Sequence, residues 1–168
     1  TDMAERVTEI YSMLIPLAEG RLLAPRSCVA EVVAYAEPTP MAGAPPWYLG
    51  LLAWNNRSIP VVSFEGMCGQ PIPAGSTRSR VVVFHGLMRK LECQAFGLLS
   101  QGFPQLVRVS SDVLRADPMR VISDRMPALC GVRLMNETPL VPDLERVEMQ
   151  PAGEAPAGAK QLCRSPSR

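Results

Sequence analysis

Tyr48-Leu-Gly-Leu-Leu-Ala-Trp-Asn-Asn-Arg-Ser-Ile-Pro-Val-Val-Ser-Phe64 reads as an apolar strand, a polar turn, and a second strand entered through a proline. Asparagine tolerates left-handed backbone angles, so Asn55-Asn56 supplies a tight turn between the two strands. About 80 residues on, Leu129-Cys-Gly-Val-Arg-Leu-Met-Asn-Glu-Thr-Pro-Leu-Val-Pro-Asp-Leu144 repeats the pattern. A third pair lies between them, Val81 to Phe84 and Cys93 to Leu99, with its turn at residues 86–90. This is the rhythm of antiparallel β-structure, and none of its turns gathers a set of reactive groups.

The flanking segments extend it. Residues 9–17 read as a first strand, Ala18-Glu19-Gly20 as its turn, and Arg21 to Pro25 as the returning partner. Ser27 to Tyr35 continues the β pattern and is expected to pair with the segment 48–64; Leu106 to Val109 is a further strand. Ser110-Ser-Asp-Val-Leu can form a single helical turn capped by Ser110 or Ser111. Pro142-Asp143 suits the first turn of another short helix. Short strands broken by turns every eight to twelve residues predict an all-β fold of two small barrels packed on one hydrophobic core, built from halves at about 9–66 and 79–145. Residues 1–8 read as an N-terminal arm, 9–147 as the domain, and 148–168 as a disordered tail, because its proline- and alanine-rich sequence has no apolar periodicity.

Bulk composition narrows the function. A hydrophobic fraction of 47% in 168 residues supports a packed core. A net charge of +1 argues against nucleic acid as a partner, since neutralising phosphates needs a basic surplus. The weak cluster Arg78, Arg80, Arg89 and Lys90 reads as solvated strand ends. Five cysteines without a C-x-x-C spacing predict thiols in a reducing cytoplasm, not a zinc site or a disulfide framework. No apolar stretch approaches a membrane span, and no secretory signal opens the chain. A soluble cytoplasmic protein is expected, without cofactor or metal.

Catalytic candidates are thin. His85, the single histidine, could pair with Cys93 across the central hairpin as a nucleophile and base, but both fall in strand runs expected to face the core. Glu31, Glu65, Asp112, Asp117, Asp143 and Glu145 are scattered over turns and strand ends, and nothing singles out two of them as a working pair. Glycine loops that cradle phosphates are absent. Trp47, Tyr48 and Trp54 form the one aromatic cluster, read either as core packing or as a partner anchor. Trp54, directly before the polar turn, is the better placed of them to reach a surface.

The residues at 48–64 resemble the signature of the CheW family of chemosensory coupling proteins, G-V-x-N-L-R-G-x-x-x-P-V-x-D-L. Gly50 and Pro60 keep its ten-residue spacing, and Val61-Val62 match the run behind the proline. Val29-Ala-Glu31-Val32 is similar to the family's V-x-E-I strand, Val81-Val-Val-Phe84 and Phe96-Gly-Leu-Leu99 to its central hairpin. Gly131-Val132 and Leu140-Val-Pro-Asp-Leu144 are similar to its closing elements, so the resemblance covers about residues 9–147. It implies two five-stranded β-barrels around a common core and no enzymatic activity. It also implies a role as an adaptor between methyl-accepting chemoreceptors and a CheA-type histidine kinase.

Three positions depart from the pattern. The family's N-L-R-G is Ala53-Trp54-Asn55-Asn56, its following aspartate is Ser63, and the V-D of its central hairpin is Leu99-Ser100. The departures point to an accessory member, in a pilus-type (twitching motility) pathway or serving one specialised receptor. A scaffold that has lost kinase coupling and a Cys93–His85 enzyme are the alternatives. Carried over residue by residue, the resemblance assigns partner binding to Val29, Glu31, Trp54, Asn55, Asn56 and Arg57. Val29 would supply apolar burial, Glu31 and Arg57 polar register, and Trp54 the anchor.

Overall fold

The computed structural model describes residues 9–86, 95–110, 114–117, 122, 126–134 and 137–148. Eleven strands among them form two sheets. A six-stranded sheet has the order β8-β1-β2-β11-β10-β9, and a five-stranded sheet the order β3-β6-β7-β5-β4. In chain order the strands are β1 (Glu9–Pro16), β2 (Arg21–Pro25), β3 (Val29–Ala34), β4 (Tyr48–Trp54), β5 (Arg57–Val62), β6 (Arg80–His85), β7 (Ala95–Ser100), β8 (Gln105–Ser110), β9 (Leu114–Ala116), β10 (Ala128–Leu134) and β11 (Leu140–Pro142). A short helix, α1 (Phe64–Met67), follows β5, and residues 144–148 form α2. The architecture is the all-β pair of barrel-like subdomains on a shared core.

The hairpins β1–β2, β4–β5, β6–β7 and β10–β11 form where the turns predict them. The division into an N-terminal and a C-terminal half does not hold. The N-terminal hairpin joins the C-terminal strands, because β1 pairs with β8 and β2 lies parallel to β11 at Leu22 and Leu140. The central strands make the other sheet. The pairing expected between 27–35 and 48–64 is likewise corrected: β3 pairs antiparallel with β6, Glu31 opposite Val83. Hairpins are set locally by turns, whereas the partner of an unpaired edge is chosen by which apolar face it must bury.

The run Met13-Leu-Ile15 shows why β1 holds the centre. Met13 and Ile15 enter the main core with Leu22, Val61, Phe84 and Phe96, while Leu14 faces a second cluster with Leu23, Val109, Val132 and Leu134. An unbroken apolar run belongs to a strand buried on both faces, and here β1 is the wall between two cores. Phe84 and Phe96 stack across β6–β7 with centroids 5.4 Å apart.

The two departures from the family pattern at Ser63 and Ser100 serve local architecture. Ser63 caps α1, its hydroxyl accepting from the Gly66 amide at 3.1 Å, a task that serine and aspartate perform about equally well. Ser100 is fully buried at the end of β7 and donates to the Gly102 carbonyl at 2.7 Å, with the Pro16 carbonyl 3.3 Å away. An ionised carboxylate has no proton to offer those two acceptors. Asp143 caps α2, accepting from the Arg146 amide at 3.2 Å, as its position behind Pro142 predicts. Glu148, expected to open the tail, lies within that helix. The helical turn expected at 110–114 falls largely on residues 111–113, outside the described residues; Ser110 ends β8 and Leu114 begins β9. The arm 1–8 and residues 149–168 also lie outside them.

Candidate functional site

The five-stranded sheet leaves β3 and β4 at opposite ends of its order, and the chain joins those ends. Beyond β3, Thr39 bridges Leu51 of β4 through two backbone bonds of 2.8 and 2.9 Å. The approach is close enough to dictate Gly50. Its φ is +139°, and a side chain there would collide with the Thr39 carbonyl. A second link across the same seam is made by side chains, the Trp54 indole N–H donating to Glu31 Oε2 at 2.8 Å.

That bond gathers the candidate residues. Asn55 and Asn56 have φ of +48° and +60°, the left-handed pair of a type I′ hairpin turn, and Arg57 pairs with Trp54 across it. Asn56 therefore takes the conformation that glycine supplies in the family pattern. Directly opposed residues of a hairpin share a face, so Arg57, Trp54 and, through the indole, Glu31 form one mixed surface. Asn55, Asn56, Arg57 and Glu31 are exposed. Trp54 is half-buried, its ring against the margin of the main core and its N–H outward. The anchor and core readings of Trp54 thus describe two ends of one side chain.

Val29 is not part of this surface. It is 3% exposed, opposite Phe84 and inside the main core, and a β-bulge separates it from Glu31. The bulge breaks the simple alternation along β3, so Val29, which the resemblance places beside Glu31, packs in the core instead. Tyr48 is buried and Trp47 is half-buried, their rings 6.1 Å apart.

The catalytic alternatives fare differently from one another. His85 is exposed at the end of β6 opposite Ala95, so it does not face the core as its strand run implies. Cys93 lies outside the described residues. Among the carboxylates, Asp143 caps a helix and Asp117 lies 3.5 Å from Arg133. Glu65 departs from the turn or strand end expected for it. It sits on α1 at 2% exposure, neither carboxylate oxygen has a hydrogen-bond partner among the described residues, and burial pushes its pKa up. Ser63 followed by an acid in the next positions is a helix-start signal that could have located it. Among the described residues no three of His, Cys, Asp and Glu converge on one point, and no helix is long and apolar enough to cross a membrane.

Beside the seam lies an open cavity of about 450 Å³, walled by Tyr35, Pro38, Pro40, Leu49 and Pro73 with Glu37 at its edge. Prolines from two stretches of the chain, Pro38 and Pro40 beyond β3 and Pro73 beyond α1, thus line the flank of the same subdomain.

Comparison with known proteins agrees with this architecture. No curated protein sequence matches the chain. Among solved structures, the scaffolding protein TtCheW from Thermoanaerobacter tengcongensis superposes with a TM-score of 0.68 at 17% identity, covering 80% of this chain and 89% of that one. A family model described as the CheW-like domain matches residues 12–149. With its two sheets, its glycine-locked seam and a domain match over most of its length, this chain belongs to the CheW-like family.

Proposed function

We propose that this protein is a non-enzymatic cytoplasmic adaptor that couples methyl-accepting chemoreceptors to a CheA-type histidine kinase. The observation that carries the reading is the Trp54–Glu31 hydrogen bond, which joins β3 to the β4–β5 turn as one rigid, mixed-polarity surface. Half-buried aromatics with a polar tip are favoured anchors of protein interfaces. Coupling of this kind needs no chemistry in the adaptor. An adaptor that binds two kinase states unequally shifts their populations by the difference in affinity. The scaffolding role named for TtCheW, the protein of similar fold, is consistent with it. Asn55, standing where the family pattern has arginine, supports an accessory place, in a pilus-type pathway, with a turn surface carrying one cation fewer at that position.

Titration of the full chain with the regulatory domain of the cognate kinase, and separately with the receptor's cytoplasmic tip, tests the proposal. Binding to at least one is expected, and Trp54→Ala should weaken it by about 2 kcal/mol or more. No binding to either partner would overturn the adaptor reading. Unchanged binding with lowered stability would reduce Trp54 to a packing residue.

A further inference from the structure

The six-stranded sheet carries a second surface, remote in sequence from the seam. On β1 the side that sends Met13 and Ile15 into the shared core continues to Tyr11, beyond the cover of the other sheet. Tyr11 is 52% exposed and Leu106, opposite Met13 on β8, is 55% exposed. An apolar face is thus buried along half its length and open along the other half.

Charge marks what this face fits. Arg108 lies opposite Tyr11, its guanidinium 5.5 Å from the ring centroid and donating to the phenol oxygen at 3.1 Å. Glu9, two residues before Tyr11 on the same side of β1, lies 3.6 Å from Arg108, and both side chains are half or more exposed. Arg108 therefore stands between Glu9 and the Tyr11 ring, so an anion, a cation and an aromatic share one exposed face. A patch of that kind is its own electrostatic complement. A two-fold axis near Tyr11 sets Glu9 of one copy against Arg108 of the other twice over, with the two phenol rings between. A net charge of +1 leaves little general repulsion between copies.

We propose that the Glu9–Tyr11–Arg108 face is a self-association surface, pairing two copies of this chain across a two-fold axis. The inference is independent of the adaptor reading and concerns a different sheet. Two exposed apolar side chains flanked by one ion pair make a modest contact, so the dimer is weak and needs roughly 100 μM protein to populate, as contacts below the standard interface size do.

Sedimentation velocity of the full chain under thiol-reducing conditions tests it, the reductant removing disulfide-linked species. The wild-type chain should shift from monomer to dimer with concentration. Glu9→Arg and Arg108→Glu should each weaken association by about tenfold or more, since each puts like charges face to face. Mixed in equal amounts, the two variants should associate again, because one then carries two acids and the other two bases at the contact. Both sites are exposed, so circular dichroism should show unchanged folding. Glu9→Lys and Arg108→Asp serve as replacements if either variant fails to fold. A wild-type chain monomeric at about 500 μM overturns the proposal, since even a small specific interface should be populated there. So does a dimer indifferent to both reversals, or one lost in the single variants and not regained on mixing.

Discussion

Two aromatic–charge pairs invite comparison, Trp54 with Glu31 on the five-stranded sheet and Tyr11 with Arg108 on the six-stranded one. Both set an aromatic polar tip against a charged side chain at close to 3 Å, 2.8 Å in the first and 3.1 Å in the second. They differ in what the backbone has already done. Tyr11 and Arg108 lie directly opposite one another in a ladder that runs from Glu9 to Leu14, so their strands stay together without them. Trp54 and Glu31 lie on β3 and β4, which share no ladder, and their bond works beside the single Thr39–Leu51 bridge. The lesson is that the same pair chemistry shapes a fold only where the backbone leaves a gap. Elsewhere it adds a surface.

Substitutions on each side measure that difference. The largest effect belongs to Gly50→Ala, which drives a methyl group into the Thr39 carbonyl and holds alanine at φ +139°. A loss of about 3 kcal/mol or more in urea denaturation is expected. A loss under about 1 kcal/mol would show that the seam yields easily.

Glu65 comes next and carries a sign of its own. Its pKa is raised in the folded state by burial, so the folded chain binds the proton more tightly than the unfolded one. The associated stability is complete below the ordinary glutamate range near 4.5 and is lost as pH rises through the elevated folded value. Glu65→Gln removes the charge that the folded state disfavours, and should raise stability near pH 7 by about 1–3 kcal/mol while flattening that pH dependence. Denaturation series at pH 4 and pH 8 would check it; identical pH profiles for the two proteins would refute it.

Smaller again, Trp54→Phe keeps the ring against the core and deletes the indole N–H, for an expected loss of about 1 kcal/mol. Arg108→Ala should leave the denaturation midpoint almost unmoved, because exposed pairs on an intact ladder contribute little. If the two losses proved equal, the distinction between seam and ladder would fall.

Much of this was legible in the chain. Asn55-Asn56 announced its own turn because left-handed angles are a local property of asparagine. Met13-Leu-Ile15 announced burial but not that its two sides serve different cores. Glu31 and Trp54 were nominated separately, and only the closed seam brings them together. Val29, placed beside Glu31 by the resemblance, is turned into the core because a bulge intervenes between them. Glu65 passed as one acid among several, since burial is a property of everything packed around α1.

What the amino-acid order determined alone was ten of the eleven described strands, all but β9, and their hairpins, which follow from local backbone preference and side-chain periodicity. Tertiary structure decided which hairpin joined which sheet, where the five-stranded barrel closes, and which polar groups meet or are stranded. Those outcomes depend on contacts between residues far apart in the chain, where the burial of whole faces outweighs any local preference.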